Sequence, residues 1–140
     1  MKIVDIRSTI AAIPRARSLK TSYGESPHTV TVVVQVYTDE GITGVGQTVA
    51  PAPWYGETAE AIKAAVDRYL GPAILGEDPR NIEHLFLRME QALRGARYAI
   101  TAVEYALWDI KGKALGVPVY ELLGGKCRDG AALHAFVERE

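Results

Sequence analysis

The sequence predicts an α+β fold in which a three-stranded antiparallel sheet is followed by a three-helix bundle. Period-two alternation of apolar residues is confined to the first third of the chain, and helical periodicity fills most of the rest. Because strand and helix patterns are segregated along the chain, an antiparallel sheet packed on helices is favoured over a parallel sheet. The length of 140 residues suits one domain with a sizeable core.

Three segments with period-two alternation predict the strands, namely residues 2–13, 29–38 and 42–49. Their apolar sides are expected to carry Val4, Ile6, Ile10 and Ala12 in the first strand and Val30, Val32, Val34 and Val36 in the second. Residues 39–41 form a turn that joins the last two strands into a hairpin. Gly44 and Gly46 leave one face of the third strand without side chains, so either another backbone approaches there or the strand bends.

Two segments interrupt this pattern. Residues 14–28 connect the first two strands with fifteen residues, where a hairpin needs only two to five. This connection is either a solvated mobile loop or a lid over a site elsewhere, and its length alone does not distinguish the two. Residues 50–56 place Trp54 and Tyr55 on a proline-stiffened loop, which favours a contact surface.

Helical periodicity predicts three helices. The first covers residues 58–70 and is expected to end at Gly71-Pro72. The second is expected to begin with Asp78 as its N-cap and Pro79 at its first position. The third lies within residues 99–125 and is apolar around most of its circumference, which is typical of a buried core helix.

The core helix carries two further signals. Ala99, Ala102 and Ala106 form a stripe of small residues that would let another element approach closely. Gly116 tolerates a positive φ and Pro118 prevents continuation, so the helix is expected to stop there.

Composition excludes several classes of function. The formal net charge is −1 with acidic and basic residues mixed, so nucleic acid is not an expected partner. No apolar run approaches the roughly 18 residues needed to span a bilayer, so no membrane partner is expected. The first ten residues lack a secretory signal, which predicts a cytoplasmic location. The single Cys127 is interpreted as an incidental thiol.

The residues themselves show little catalytic chemistry. His28, His84 and His134 are far apart and lack metal-ligand spacing. Lys111 and Lys113 would point to one face on a strand, but residues two apart on a helix diverge by roughly 200°. Both lysines are therefore interpreted as helix-surface charges, and Lys113 can pair with Asp109 one turn earlier.

Residues 106–125, reading ALWDIKGKALGVPVYELLGG, closely resemble the end of the N-terminal domain in the enolase superfamily. The nearest branch is that of the mandelate racemase and muconate lactonizing enzymes. The resemblance extends to the hairpin that ends in Gly44-Val45-Gly46 and to the GEDP helix start at residues 76–79. It also includes the long connection after Ile13, so it covers essentially the whole chain.

The resemblance implies that residues 1–125 are an enolase N-terminal domain-like capping domain. Residues 126–140 would start a C-terminal (β/α) barrel that this chain does not contain, with His134, Phe136 and Glu138, or the alternate set, facing inward. Enzymes of this superfamily use Mg²⁺, held by barrel carboxylates, to stabilise the enolate formed by proton abstraction α to a carboxylate. The chain itself would then supply no catalytic residue and no metal ligand. The implied partners are a small-molecule carboxylate, the protein's own barrel and further copies in a homo-oligomer.

In this family two loops of the cap close over the barrel mouth, and they correspond to residues 14–28 and 50–56. The candidate substrate-binding residues are Arg15, Arg17, Lys20 and Tyr23 for polar or anionic groups, and Trp54 and Tyr55 for an apolar wall. Because the first loop is rich in cations, dehydration of an acid sugar is the first expectation, followed by racemisation, epimerisation or cycloisomerisation. A non-catalytic interaction module that docks through residues 50–56 is the alternative from another class. Gln47 departs from the family pattern, in which a glutamate often follows the Gly-x-Gly.

Overall fold

The computed structural model describes residues 1–22, 24–50, 56–130 and 132, and the predicted α+β class is confirmed within them. The strands of its antiparallel sheet, in the order β1-β2-β3, are β1 (Ile3–Thr21), β2 (Gly24–Thr38) and β3 (Thr43–Val49). The helical half consists of α1 (Ala59–Ala65), a π-helical turn (Val66–Leu70), α2 (Gly71–Ile74), α3 (Ile82–Ala92), α4 (Arg97–Leu115) and α5 (Val119–Leu122). Among the described helices, none is both long and apolar enough to cross a membrane.

The core lies between one face of the sheet and the helices. Val32, Val34 and Val36 are fully buried on this face, as their alternation predicts. They meet the apolar stripe of α4, including Leu107 and Ile110, which are also fully buried. Helix α4 is thus the central helix of the fold, in agreement with its apolar circumference.

Helix α4 lies directly on the backbone of β3. A Cβ atom built on Gly44 would be 2.1 Å from the carbonyl oxygen of Ala106, and one built on Gly46 would be 2.0 Å from that of Ala102. No side chain fits at these distances, so the two glycines allow the close approach. Of the two explanations for Gly44 and Gly46, the approach of another backbone is therefore confirmed.

Two charged residues of α4 cover part of the free edge of β3. The carboxylate of Asp109 accepts hydrogen bonds from the backbone N–H of Val45 at 2.9 Å and from Lys113 Nζ at 2.6 Å. Lys113 Nζ also donates to the carbonyl oxygen of Thr43 at 2.8 Å. The predicted pairing of Lys113 with Asp109 is confirmed, but both also satisfy edge groups that would otherwise be open to another strand.

A one-residue bulge near the start of β1 corrects the predicted apolar face. Ile3 pairs with Thr38 and Asp5 pairs with Tyr37, so Val4 is the extra residue between them. Because an extra residue reverses the alternation, Ile3 is buried at 1% exposure while Val4 is 54% exposed. The expectation that Val4 faces the core is wrong.

A polar cluster links β1 to the first helical segment and has no counterpart in the sequence predictions. Lys63 Nζ donates to the carbonyl oxygen of Ser8 and to the carboxylate of Asp67, each at 2.7 Å. Ser8 Oγ donates to the same carboxylate at 2.5 Å. Since Ser8 is buried, this cluster satisfies polar atoms that would be costly to leave unpaired at the sheet–helix interface.

The first predicted helix begins correctly but ends later than expected. Thr58 is its N-cap, and the helical path then continues through the π-helical turn and Pro72 to the end of α2. In the π-helical turn the N–H of Gly71 bonds to the carbonyl of Val66, five residues earlier. The wider turn offers a way to accommodate Pro72, whose ring would clash with the preceding turn of a regular α-helix.

The start of α3 also differs from the prediction. Asn81, rather than Asp78, is the N-cap residue, and Asp78 instead closes the turn that precedes the helix. The Asp78 carboxylate accepts from the backbone N–H of Arg80 at 3.0 Å and from its guanidinium at 2.6 Å. The local Asp-to-Arg contacts therefore take up the oxygen atoms that would have capped the helix.

The end of α4 follows the prediction. Gly116 has a φ of 68°, in the left-handed region, and its N–H bonds to the carbonyl groups of Gly112 and Lys113. Pro118 then adopts an extended conformation before α5 begins.

Candidate functional site

The predicted loop of residues 14–28 is instead the outer part of a β-hairpin. Strands β1 and β2 continue through it, with Leu19 facing Ser26 and Lys20 facing Glu25. The prediction of an irregular connection is therefore wrong. These strands are mostly exposed, so they need no alternation of apolar and polar residues, and nothing in their composition marked them as strands.

The outer hairpin extends well beyond the third strand. β3 ends at Val49, which faces Thr31 of β2, whereas β2 reaches back to Gly24. At 3.4 Å per residue, the hairpin projects about 24 Å past the sheet. Residues 12–30 are named the hairpin arm below. Ile13 and Val30 at its base are 49% and 38% exposed, so apolar surface is open there.

A large bulge interrupts β1 within the hairpin arm. Pro14 pairs with His28 and Leu19 pairs with Ser26, which leaves residues 15–18 of β1 opposite Pro27 alone. These four residues are named the β1 bulge. Bulges bend a strand and redirect its side chains, and they are common beside functional sites.

The β1 bulge carries two of the predicted substrate-binding residues, Arg15 and Arg17. Both are exposed, and within the described residues neither has a carboxylate at ion-pair distance. Lys20 lies nearer the tip and directly faces Glu25, whose charge opposes its own. The structure thus brings Arg15 and Arg17 together in the bulge and places Lys20 beside an acid.

The remaining candidates, Tyr23, Trp54 and Tyr55, lie outside the described residues. Their assignment to the substrate site stays a prediction from the sequence.

A groove of about 520 Å³ lies where β3 ends and the N-terminal half of α4 passes it. Gln47, Val49, Arg97 and Tyr105 are among the residues that line it. Its volume falls within the range of small-molecule sites. Gln47 therefore lies on a groove wall, two residues before β3 ends and close to the base of the hairpin arm.

The described residues do not form a metal centre. Among residues 1–22, 24–50, 56–130 and 132, no group of three His, Cys, Asp or Glu side chains could hold a metal ion together. Cys127 is exposed and is a free thiol.

Comparison with known proteins identifies the fold. Residues 4–124 match the family model described as mandelate racemase / muconate lactonizing enzyme, N-terminal domain. The sheet, the helical half and this match define the N-terminal capping domain of the enolase superfamily. The chain belongs to the mandelate racemase and muconate lactonizing enzyme family of that superfamily.

Individual relatives have different activities. A chloromuconate cycloisomerase of Cupriavidus pinatubonensis is 42% identical over 91% of this chain, which covers 35% of that protein. A D-galactonate dehydratase family member, RspA of Pantoea ananatis, is 40% identical over 76% of the chain and is itself covered to 26%. The crystal structure of N-succinyl Arg/Lys racemase from Bacillus cereus has a TM-score of 0.88 at 35% identity, covering 92% of this chain and 35% of that one.

The chain therefore spans about a third of the length of the cycloisomerase and of the racemase. These relatives show the fold and the superfamily. Because they include a cycloisomerase, a dehydratase family member and a racemase, they do not select one reaction.

Proposed function

We propose that this chain is the substrate-capping domain of a longer enzyme that removes a proton α to a carboxylate. In this proposal residues 1–125 form the cap and residues 126–140 begin a C-terminal barrel. The end of the family match at residue 124 supports this boundary. The hairpin arm reaches out over the substrate, and its bulge supplies positive charge to an anionic group.

The observation that carries the proposal is the pair of arginines in the β1 bulge. Arg15 and Arg17 project from an arm with no third strand and, among the described residues, have no ion-pair partner. Guanidinium groups bind carboxylates through two parallel hydrogen bonds, so this arrangement suits an anionic ligand. Lys20, which faces Glu25, contributes less in this proposal.

The first candidate substrate is a dicarboxylate that undergoes cycloisomerisation. In the ring-opening direction of this reaction the proton α to one carboxylate is removed, a C=C bond forms, and the lactone C–O bond breaks to release the second carboxylate. In this proposal the arginines of the arm meet the second carboxylate. The cycloisomerase relative supports this candidate because its 42% identity extends over 91% of the chain.

The second candidate is dehydration of an acid sugar, the first expectation from the sequence. It is supported by the 40% identity to the galactonate dehydratase family member, over 76% of the chain. Hydroxyl groups of a sugar accept hydrogen bonds from arginine, but without the charge that strengthens a bond to carboxylate.

The superfamily implies Mg²⁺, which would stabilise the negative charge of an enolate. The described residues offer no set of ligands for it, so in this proposal the ion lies in the barrel. The part played by this chain is to bind, orient and enclose the substrate. A homo-oligomeric full-length protein and a cytoplasmic location stay predictions.

The proposal is tested in the full-length enzyme with the double variant Arg15→Gln and Arg17→Gln. We expect KM for muconate to rise about tenfold with little change in kcat, because two charge-assisted contacts to the bound substrate are lost. Arg94→Gln is the matched control, since Arg94 is exposed and lies outside the arm. Equal KM values for the double variant and the control, with galactonate as well as muconate, would contradict the capping role.

A further inference from the structure

The β1 bulge has a single residue opposite it, and that residue is Pro27. Strand β2 passes from His28 to Ser26 with only Pro27 between them, while β1 passes from Pro14 to Leu19. The ladder is regular on both sides of this point, with His28 facing Pro14 and Ser26 facing Leu19. The irregularity is therefore confined to residues 15–18 and Pro27.

Proline has two properties that matter at this position. It has no backbone N–H, so it cannot donate a hydrogen bond to a carbonyl of the bulge. It also restricts the residue before it to extended backbone, which keeps Ser26 on the strand path. Any other residue at position 27 would offer a donor that could draw one of residues 15–18 into the ladder.

A side-chain hydrogen bond spans the proline. Ser26 Oγ donates to the carbonyl oxygen of His28 at 2.8 Å. This bond links the two neighbours of Pro27. Alternate residues of β2 direct their backbone groups towards β3, as the Val30 carbonyl does, so the carbonyl of His28 faces away from β1. The missing N–H of Pro27 is therefore what favours an open ladder opposite Arg15 and Arg17.

We propose that Pro27 is a positioning residue, which keeps the β1 bulge open so that Arg15 and Arg17 face a carboxylate ligand instead of joining the strand ladder. This inference rests on the proposed function, because it assigns the two arginines to the substrate. It adds that the specificity for an anion depends on a residue of the opposite strand that itself carries no charge.

The test uses Pro27→Val in the full-length enzyme, with Pro118→Val as the matched control. Valine restores a donor N–H and favours strand structure at position 27, whereas Pro118 is exposed, has an extended backbone and lies outside the hairpin arm. We expect Pro27→Val to slow amide hydrogen exchange in residues 15–18 and to raise KM for muconate about tenfold at unchanged kcat. Pro118→Val should change neither quantity.

The outcomes separate this inference from the proposed function. Unchanged exchange in Pro27→Val would show that the proline does not hold the bulge open and would overturn the inference. Slower exchange with unchanged KM would also overturn it, because the open bulge would not serve binding. The proposed function fails separately, if the double variant of Arg15 and Arg17 leaves KM unchanged. If the role of Pro27 is purely structural, Pro27→Val will lower the thermal unfolding midpoint and change KM and kcat together. That outcome would also overturn the inference.

Discussion

At the scale of single residues, the fold depends on the absence of side chains at Gly44 and Gly46. The sequence indicated both possible reasons for these glycines, and the stripe Ala99, Ala102 and Ala106 indicated a helix suited to close approach. What it could not show was that the two features belong to one contact, with the carbonyl groups of Ala102 and Ala106 against β3. That pairing is tertiary, and no local pattern encodes it.

Replacing Gly46 with alanine should destabilise the domain by about 3 kcal/mol or more. The new Cβ would lie 2.0 Å from the Ala102 carbonyl oxygen and 2.7 Å from the Ala106 backbone nitrogen, so α4 itself would have to move. Urea unfolding of the domain measures this change. Gly130→Ala is the control, because a Cβ there meets no atom within 4 Å, and its unfolding midpoint should stay that of the wild type. A Gly46→Ala midpoint equal to that of the control would rule out the close contact.

Val4 shows at the same scale why strand faces are hard to read. Its position in an alternating run predicted burial, but the single extra residue at the bulge exposes it and buries Ile3 instead. A bulge is decided by the register with β2, so it is invisible in β1 alone.

At the scale of elements, the hairpin arm is the main feature that the sequence concealed. Pro14 and Pro27 are poor strand residues, and the segment between them is polar, so a loop was the reasonable prediction. The arm is nevertheless paired on both sides of its bulge, through residues such as Lys20 and Glu25. Cross-strand pairing of an exposed hairpin leaves little trace in composition, because neither face is selected for burial.

The turn before α3 illustrates a local competition. Asp78 is a residue type that favours the N-cap position. Its carboxylate instead accepts hydrogen bonds from both the backbone N–H and the guanidinium of Arg80. The helix consequently starts at Ile82, after Asn81. Capping preferences locate a helix start to within a few residues. Which residue becomes the N-cap depends on whether a nearby donor already occupies its side chain.

This pairing predicts an acid-dependent loss of stability. The Arg80 guanidinium lowers the pKa of Asp78 from 3.8 to about 2. Because the pKa is lower in the folded state, the ionised carboxylate stabilises the fold above the unfolded pKa of about 3.9. That stabilisation is lost as the pH falls from about 4 to about 2.

Urea unfolding midpoints of the wild type and of Asp78→Asn, measured at pH 5, 4, 3 and 2, test this prediction. The difference between the two proteins should be largest at pH 5 and should shrink towards pH 2. Arg80→Gln removes the cause of the shift and should lose the same part of the pH dependence. Parallel curves for wild type and Asp78→Asn across the range would contradict it.

At the scale of the whole molecule, the sequence predicted the class, the order of sheet and helices and the superfamily. Its resemblance in residues 106–125 is carried by the core helix and its stop, which the fold confirms and the family match includes. The geometry of the candidate site is harder to predict from the sequence. Arg15 and Arg17 are predicted from their charge, but their place outside the ladder is set by the register with β2, where only Pro27 lies opposite the bulge.

The capping role makes the hairpin arm the part of the cap that responds to substrate. The arm projects about 24 Å beyond the sheet, with Arg15 and Arg17 in its bulge. In the proposed role we expect it to gain contacts when an anion binds beneath it. Helix α3 lies on the helical side of the core and has no such role in this account.

The most direct measurement is hydrogen exchange of the full-length enzyme with and without saturating muconate, and in parallel with galactonate. We expect slower exchange across residues 14–22 and 24–28 when the preferred carboxylate is bound, with exchange in α3 unchanged. Exchange in the arm that is the same with and without both carboxylates, in an enzyme that turns either of them over, would contradict the capping role.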